Sequence, residues 1–251
     1  MNKIKKYSIF TVILALFVIG GWAVFQSRDA IVPTQLPPAI PYDAKPMSPQ
    51  VQDPVPVSQK EISPEEVNLN IPFVLQAPEQ NWDLPYKQFC EEASALMVDS
   101  YIHNKPISDF NDADKKLLAI MDFEIKRFGF YEDTDIDQTA AILREYFGLE
   151  KVEIIPDPTS ANIRSVLAEG RAVIAPLAGR QLNNPYFQQP GPLYHMIVIK
   201  GYKKNGDFIT NDPGTKRGAN FIYKEDVIMN AIHDWNGGNV DMGKKVILVV
   251  G

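Results

Sequence analysis

Three side chains could together perform nucleophilic chemistry on an acyl carbon: Cys90, His195 and Asp212. Cys90 is the single cysteine of the 251 residues, so no disulfide can form within the chain. It opens a predicted helix, and the N-terminal end of a helix favours a thiolate over a thiol. A downstream histidine can act as general base for such a thiol, and an acid can orient the imidazole. This combination favours a reactive cysteine over a structural one.

The hairpin between His195 and Asp212 determines whether the two side chains can meet. Side chains alternate with period two along a strand, so turns of two or four residues both put Asp212 on the same sheet face as His195. A four-residue loop, Lys203–Gly206, brings Asp212 opposite Ile197, on a diagonal of about 7–8 Å from His195. The two-residue turn brings it opposite Ile199, too far away. The geometry permits the pair in the longer loop.

Composition narrows the function classes. The chain has 25 basic and 31 acidic residues and a net charge of −6, which argues against nucleic acid as the main partner. Its three histidines lack the short spacings of zinc ligands, and we expect neither a metal nor another cofactor. His103 and His233 fall in or near predicted helices, where we interpret them as structural or exposed.

Residues 1–28 predict a signal-anchor helix. Lys3, Lys5 and Lys6 precede an uncharged apolar run, Ile9–Phe25, which is about 25 Å long as a helix and just long enough to span a bilayer. The lysines should remain in the cytoplasm and place the rest of the chain outside, so only this helix should contact the membrane. A cleaved signal peptide, which would give a secreted protein, is the alternative.

Residues 29–70 predict a disordered, proline-rich linker, and residues 71–251 a single domain. Nine of the 20 prolines lie between Pro33 and Pro64, where no helical or strand period survives. In the domain, helices precede antiparallel strands, which indicates an α+β fold. We predict helices near 90–102, 112–127, 135–147, 159–169 and 225–235, and strands near 71–76, 152–155, 172–177, 195–202, 207–210, 221–223 and 245–250.

Three motifs within residues 71–251 also carry a family resemblance: FVLQAPEQNW followed by CEEAS, then YHMIVIKGY, then NDPGTKRG. This part of the chain resembles the papain-like cysteine peptidases of the bacteriocin-processing type, peptidase family 39 and its stand-alone relatives. The resemblance implies a papain-like fold, with N-terminal helices packed on a C-terminal antiparallel sheet. Absence of a Gly-x-x-x-x-Gly-Lys motif means that cleavage coupled to ATP-driven export is not implied.

The resemblance also implies a role for each matching residue. Cys90 would be the nucleophile, His195 the general base and acid, and Asp212 the residue that orients the imidazole. Gln76 would donate its side-chain amide to the oxyanion, with Gln88 as the alternative donor because the interval from Gln76 to Cys90 is long. The implied substrate is a peptide or a cell-wall peptide.

Two glutamates depart from the pattern of these enzymes, which usually have glycine after the cysteine. Glu91 and Glu92 follow Cys90 here, and their negative charges oppose thiolate formation. Our hypothesis is a membrane-anchored extracytoplasmic cysteine peptidase that uses Cys90, His195, Asp212 and Gln76. A catalytically weak peptide- or cell-wall-binding domain, or a thiol acyl or amide transferase, remains the alternative.

Overall fold

The computed structural model describes residues 35–43 and 64–251. The predicted signal-anchor, residues 1–28, and much of the predicted linker, residues 29–70, lie outside the described residues. Among the residues that the structure does describe, no helix is both long and apolar enough to cross a membrane. The described residues from Pro37 onward belong to one folded unit.

The described residues form an α+β fold in which an antiparallel sheet is packed against helices. The helices are α1 (Cys90–Ile102), α2 (Phe110–Phe128), α3 (Ile136–Ala141), α4 (Ser160–Ala168) and α5 (Glu225–Ala231). The strands are β1 (Val67–Asn68), β2 (Val152–Pro156), β3 (Ala172–Ala178), β4 (Tyr194–Tyr202), β5 (Phe208–Asn211), β6 (Phe221–Tyr223) and β7 (Val246–Val250). The strand order is β2-β7-β3-β4-β5-β6, and β1 pairs with the end of β4.

Side-chain caps fix where several helices begin. The Asp109 carboxylate accepts the Asp112 N–H at the start of α2 at 2.9 Å. Reciprocal capping boxes start α3 and α4, with Asp135 and Thr159 as the respective N-cap residues. The sequence predicted all three helices within a few residues, but α3 ends in a π-helical turn at Ile142–Tyr146 instead of continuing as a regular helix.

Helix α1 is the central helix of the fold. It packs against both β4 and α2, and all its residues from Cys90 to Tyr101 are buried. The Ser94 hydroxyl on this helix donates to the Met196 carbonyl of β4 at 3.3 Å. The helix therefore fixes its first residue, Cys90, against the strand that carries His195.

Two of the sequence predictions were wrong in detail. Residues Ile71–Gln76 form no strand, because Pro72 lacks an N–H group and the Asn211 side chain binds the Ile71 and Pro72 carbonyls instead. The last helix ends at Ala231, not at Trp235. The chain after Ala231 pairs with other segments: the His233 N–H donates to the Pro176 carbonyl at 3.1 Å.

Two parts of the predicted linker have defined places in the fold. Ile40 pairs with Leu69 in a parallel bridge, and the Tyr42 ring packs edge-on against Tyr101 of α1 at 5.2 Å. Strand β1 reaches the sheet at Gly201, where a side chain would collide with the Val67 carbonyl. The folded unit thus includes residues that precede Ile71.

Candidate active site

A cleft of about 830 Å³ opens at the N-terminal end of α1, between that helix and the first residues of β4. Cys90, His195, Gln76 and Gln88 all line it. The structure therefore brings the predicted nucleophile, the predicted base and both candidate oxyanion donors to one cavity. Asp212 is fully buried behind His195.

Cys90 is the first residue of α1, as predicted. Backbone N–H groups in the first turn of a helix have no partner within the helix, so the Cys90 N–H can face an oxyanion in the cleft. The thiol itself donates to the Glu91 carboxyl oxygen Oε2 at 2.9 Å. Burial raises the pKa of Cys90 well above its ordinary value, and the hydrogen bond to Glu91 acts in the same direction.

The ladder between β4 and β5 positions the histidine and the aspartate. Val198 pairs with Asn211, so continuing this register by one residue brings Asp212 opposite Ile197. This is the position predicted for a four-residue loop, but the chain reaches it by another route. Tyr202 pairs with Phe208 across a five-residue loop, and a β-bulge between Ile199 and Gly201 shifts the register.

His195 and Asp212 form a direct hydrogen bond, 2.7 Å between Nε2 and Oδ1, and both side chains are buried. Because Nε2 faces the carboxylate, Nδ1 is the ring nitrogen left for the cleft. The Phe187 ring packs edge-on against the imidazole at 5.3 Å. Gly214 closes the other side, where a β-carbon would lie 2.8 Å from the imidazole Cε1. The imidazole is therefore held in one orientation.

Four hydrogen bonds surround the Asp212 carboxylate. Oδ1 accepts from His195 and from the Gly214 N–H at 2.9 Å, and Oδ2 accepts from Tyr223 Oη at 2.6 Å and Asn184 Nδ2 at 3.1 Å. Burial alone would raise the pKa of Asp212, but the charge of His195 and these hydrogen bonds lower it below its ordinary value. Asp212 is therefore a buried anion at neutral pH.

Gln76 is buried at the cleft and tied to both walls. Its backbone N–H donates to the Pro213 carbonyl at 3.1 Å, next to Asp212. Its side-chain Nε2 donates to the Tyr86 carbonyl at 3.0 Å, in the turn that precedes Cys90. An amide nitrogen carries two hydrogens, so a second N–H remains for an oxyanion.

A group of buried carboxyls lies behind the cysteine. Glu91, Glu92 and Glu124 are each at most 1% exposed, and Glu92 and Glu124 interact with each other through a side-chain hydrogen bond, for which one carboxyl must carry a proton. Burial raises the pKa of Glu91 and Glu92 well above the ordinary range, and that of Glu124 to about 8. The sequence predicts that Glu91 and Glu92 are charged, whereas their burial favours the neutral forms.

Residues 68–237 match the model of the Peptidase_C39 like family, which is more than half of the chain. The chain belongs to this family. Gln76, Cys90, His195 and Asp212 all lie within the matched residues. The resemblance that the sequence motifs indicated is therefore confirmed at the level of the family.

Solved structures add information about the fold of this Peptidase_C39 like chain. A crystal structure described as a C39-like peptidase from Bacillus anthracis matches with a TM-score of 0.50 and 16% identity, covering 75% of this chain and 98% of that one. A fragment of prointerpain A from Prevotella intermedia matches at 15% identity, covering 73% of this chain and 55% of that one, but its TM-score of 0.36 supports no argument. A search of curated proteins found no match.

Sequence reasoning on this Peptidase_C39 like chain missed the residues that hold Asp212. Asn184 lies in the loop before β4, and Tyr223 lies on β6, which pairs with β5. Asn184 Nδ2 also donates to the Tyr223 hydroxyl at 2.7 Å. Neither residue has a spacing signal relative to Asp212, although a tyrosine on a short strand that pairs with β5 was a candidate neighbour.

Proposed function

We propose that this chain is a cysteine peptidase that hydrolyses peptide bonds through Cys90, His195 and Asp212, with Gln76 as oxyanion donor. The observation that carries the proposal is the hydrogen bond from His195 Nε2 to the buried Asp212 carboxylate, at the cleft that Cys90 lines. The family match supports the same chemistry. We retain the proposal that a helix in residues 1–28 anchors the domain outside the cytoplasmic membrane.

The chemistry follows from the positions of these groups. His195 accepts the thiol proton at Nδ1, and the Cys90 thiolate attacks the peptide carbonyl carbon, forming an S–C bond. The second Gln76 N–H and the Cys90 backbone N–H stabilise the oxyanion, and one such donor typically contributes about 3–4 kcal/mol. The protonated His195 gives its proton to the departing amine, and the C–N bond breaks. Water, deprotonated by His195, then hydrolyses the thioester to a carboxylic acid and regenerates the thiol.

A catalytically weak peptide- or cell-wall-binding domain is the second candidate. The observation that favours it is the hydrogen bond from the Cys90 thiol to Glu91, which holds the proton on sulfur. In that case the cleft would bind a peptide without rapid acylation of Cys90. An acyl or amide transferase would use the same thiol and differ only in accepting an amine instead of water.

Thiol labelling of the full chain tests the proposal. Because His195 would accept the thiol proton, iodoacetamide should modify Cys90 faster in the native chain than in His195→Ala, and the pH dependence of the rate should disappear in that variant. His103→Ala is the matched control, because His103 is exposed and pairs with Asp99 away from the cleft. Labelling no faster than a free thiol and indifferent to His195 would favour the binding domain.

Product analysis separates hydrolysis from transfer. The full chain is incubated with peptides and cell-wall fragments, with and without an added amine, and the products are identified by mass spectrometry. A peptidase releases free carboxylic acids, whereas a transferase gives new amides in preference to acids. Cys90→Ala should abolish both products.

A further inference from the structure

Three cationic side chains line the cleft, and they come from opposite walls. Lys87 lies in the turn just before Cys90, on the wall formed by the start of α1. Lys216 and Arg217 lie on the other wall, in the loop that follows Asp212 and passes over His195. All three residues are exposed. A peptide bound across Cys90 and His195 would therefore pass between positive charges.

These cations have no anionic partner among the described residues. The Lys216 amine contacts only the neutral Gln80 side-chain oxygen, at 3.4 Å. The Arg217 guanidinium lies over the Tyr186 ring at 4.6 Å, where the aromatic face orients it and leaves its N–H donors free. Lys87 has no ion pair or side-chain hydrogen bond in the described part of the chain. The cations at the cleft are thus available to an external anion.

The cations outnumber the acidic groups that line the cleft. Among the described residues that line it, Asp133 is the acidic one, against three cations. The whole chain carries a net charge of −6, so a cationic cleft runs against the overall balance. A concave site of one sign focuses the field and concentrates ligands of the opposite sign.

We propose that the cleft selects peptides that carry a carboxylate within reach of Lys87, Lys216 and Arg217. This inference names the substrate class of the site and rests on the proposed function. Both an acidic side chain and a free C-terminal carboxylate, such as that of a short cell-wall peptide, have the required chemistry. Arginine binds either group in a bidentate manner, and lysine binds it as a point charge.

Cleavage by the full chain gives the first test. A library of peptides capped at both ends presents Glu, Gln or Lys at each position, and a second set has Gln with a free C-terminus. We expect kcat/KM to be about three- to tenfold higher for Glu over Gln at one or more positions, or for the free over the capped terminus. Which arm responds identifies the source of the carboxylate. The preference should shrink in 0.5 M salt because exposed charges are screened.

Variants assign the preference to the cleft. The double variant K216Q/R217Q should reduce the ratio of kcat/KM for acidic peptides to kcat/KM for neutral peptides toward one. K87Q, which removes the cation of the other wall, should also reduce this ratio. Lys126→Gln is the matched control, because this exposed lysine at the end of α2 lies outside the cleft. Circular dichroism confirms that each variant folds. An unchanged ratio in K216Q/R217Q and K87Q would overturn the proposal.

A binding measurement separates this inference from the proposed activity. Full-length Cys90→Ala is immobilised, and retention of the same libraries is quantified by mass spectrometry. Charge-selective retention without cleavage by the native chain would support the inference and contradict the peptidase. Cleavage with equal rates for acidic and neutral peptides would support the peptidase and overturn the inference. Equal retention of acidic and neutral peptides, including no retention of either, would also count against it.

Discussion

Two groups of buried acidic residues lie next to this cleft, and the pKa values of their carboxyls are shifted in opposite directions. Behind His195, the Asp212 carboxylate receives four hydrogen bonds, one of them from the His195 imidazole, so its pKa falls despite its burial. Behind Cys90, burial raises the pKa values of Glu91, Glu92 and Glu124, and too few hydrogen bonds reach their oxygens to reverse this effect. The first environment is built to hold a charge, and the second to avoid one.

The difference shows that burial alone does not decide the charge of a carboxyl group. Asp212 and Glu92 are both 0% exposed, and each would be neutral if desolvation acted alone. Donors aimed at Asp212 reverse that outcome, and Glu92 lacks them. Which carboxyls of the site are protonated therefore depends on whether neighbouring loops and strands place N–H and O–H donors beside them.

Removing the anion on the histidine side should have the largest effect. In Asp212→Ala, His195 loses the partner of Nε2, and we expect kcat/KM to fall by about three to four orders of magnitude. Peptide cleavage by the full chain is the measurement. Asp241→Ala removes an exposed aspartate outside the cleft and should leave the rate unchanged. Asp212→Asn keeps a carbonyl acceptor for His195 and should lose less. An Asp212→Ala enzyme of native activity would remove the proposed role.

The neutral carboxyls on the cysteine side should make stability fall as pH rises. The pKa of Glu124 is about 8 in the folded chain against an ordinary value of 4.5, so between these values the folded state binds more protons than the unfolded state. Each such carboxyl should lower the free energy of unfolding by about 1.4 kcal/mol per pH unit within its window. Urea denaturation from pH 5 to pH 8 measures the slope.

Glu124→Gln provides the control for this slope. The variant removes one titrating carboxyl, so its stability should decline less steeply between pH 5 and pH 8 than that of the native chain. The contribution of Asp212 to the pH dependence of stability has the opposite sign. Its lowered pKa adds stability that is lost as pH falls through the acid range. A native slope that is flat or positive from pH 5 to pH 8 would contradict the neutral assignment.

Glu91→Gln should make the cysteine more reactive. The substitution removes a carboxyl that holds the thiol proton and replaces it with an amide that can donate to a thiolate. We expect the labelling rate of Cys90 at neutral pH to rise by roughly one to two orders of magnitude, because the pKa of the thiol should fall. Glu92→Gln, which changes a buried carboxyl that does not contact the thiol, should raise it less. Equal rates in the two variants would show that the contact is unimportant.

Tyr223→Phe should give the smallest effect. It removes one of the four hydrogen bonds to Asp212 and the hydroxyl that accepts from Asn184, while the ring remains buried, and it should cost about 1.5 kcal/mol of stability. Denaturation by urea measures the loss, with Tyr202→Phe as control because the Tyr202 hydroxyl donates to a main-chain carbonyl at Pro64. If Tyr223→Phe costs no more than Tyr202→Phe, the charged acceptor adds nothing.

Much of the fold followed from local signals. The helix that starts at Cys90, the capped starts of α2 and α4, and strands β3, β4 and β7 matched the sequence predictions closely because caps and apolar runs are local. Strand β1 was missed because two residues carry no period. Ile71–Gln76 was assigned as a strand, although the Ile71 and Pro72 carbonyls bind the side chain of Asn211, which is distant in sequence. Such contacts leave no trace in the spacing of neighbouring residues.

The candidate site likewise has residues that the sequence predicted and contacts that it could not predict. Motifs and the register of the predicted hairpin identified four candidate residues: Cys90, His195, Asp212 and Gln76. In the structure, Cys90, His195 and Gln76 line one cleft, and Asp212 lies behind His195. Their catalytic roles stay predictions. The contact between Cys90 and Glu91 could not be predicted, because a helix sequence does not say which side chains of its first turn become buried.

The bulge at Lys200 determines on which face of the sheet the Asp212 side chain lies. Continued without a bulge, the pairing of Tyr202 with Phe208 would bring Asp212 opposite Val198 instead of Ile197. Even-numbered residues of β4 point to the face away from His195, so the carboxylate would project from the wrong side of the sheet. The single extra residue of the bulge thus brings the Asp212 side chain to the sheet face that carries His195. Without it, the imidazole would have no anion beside it.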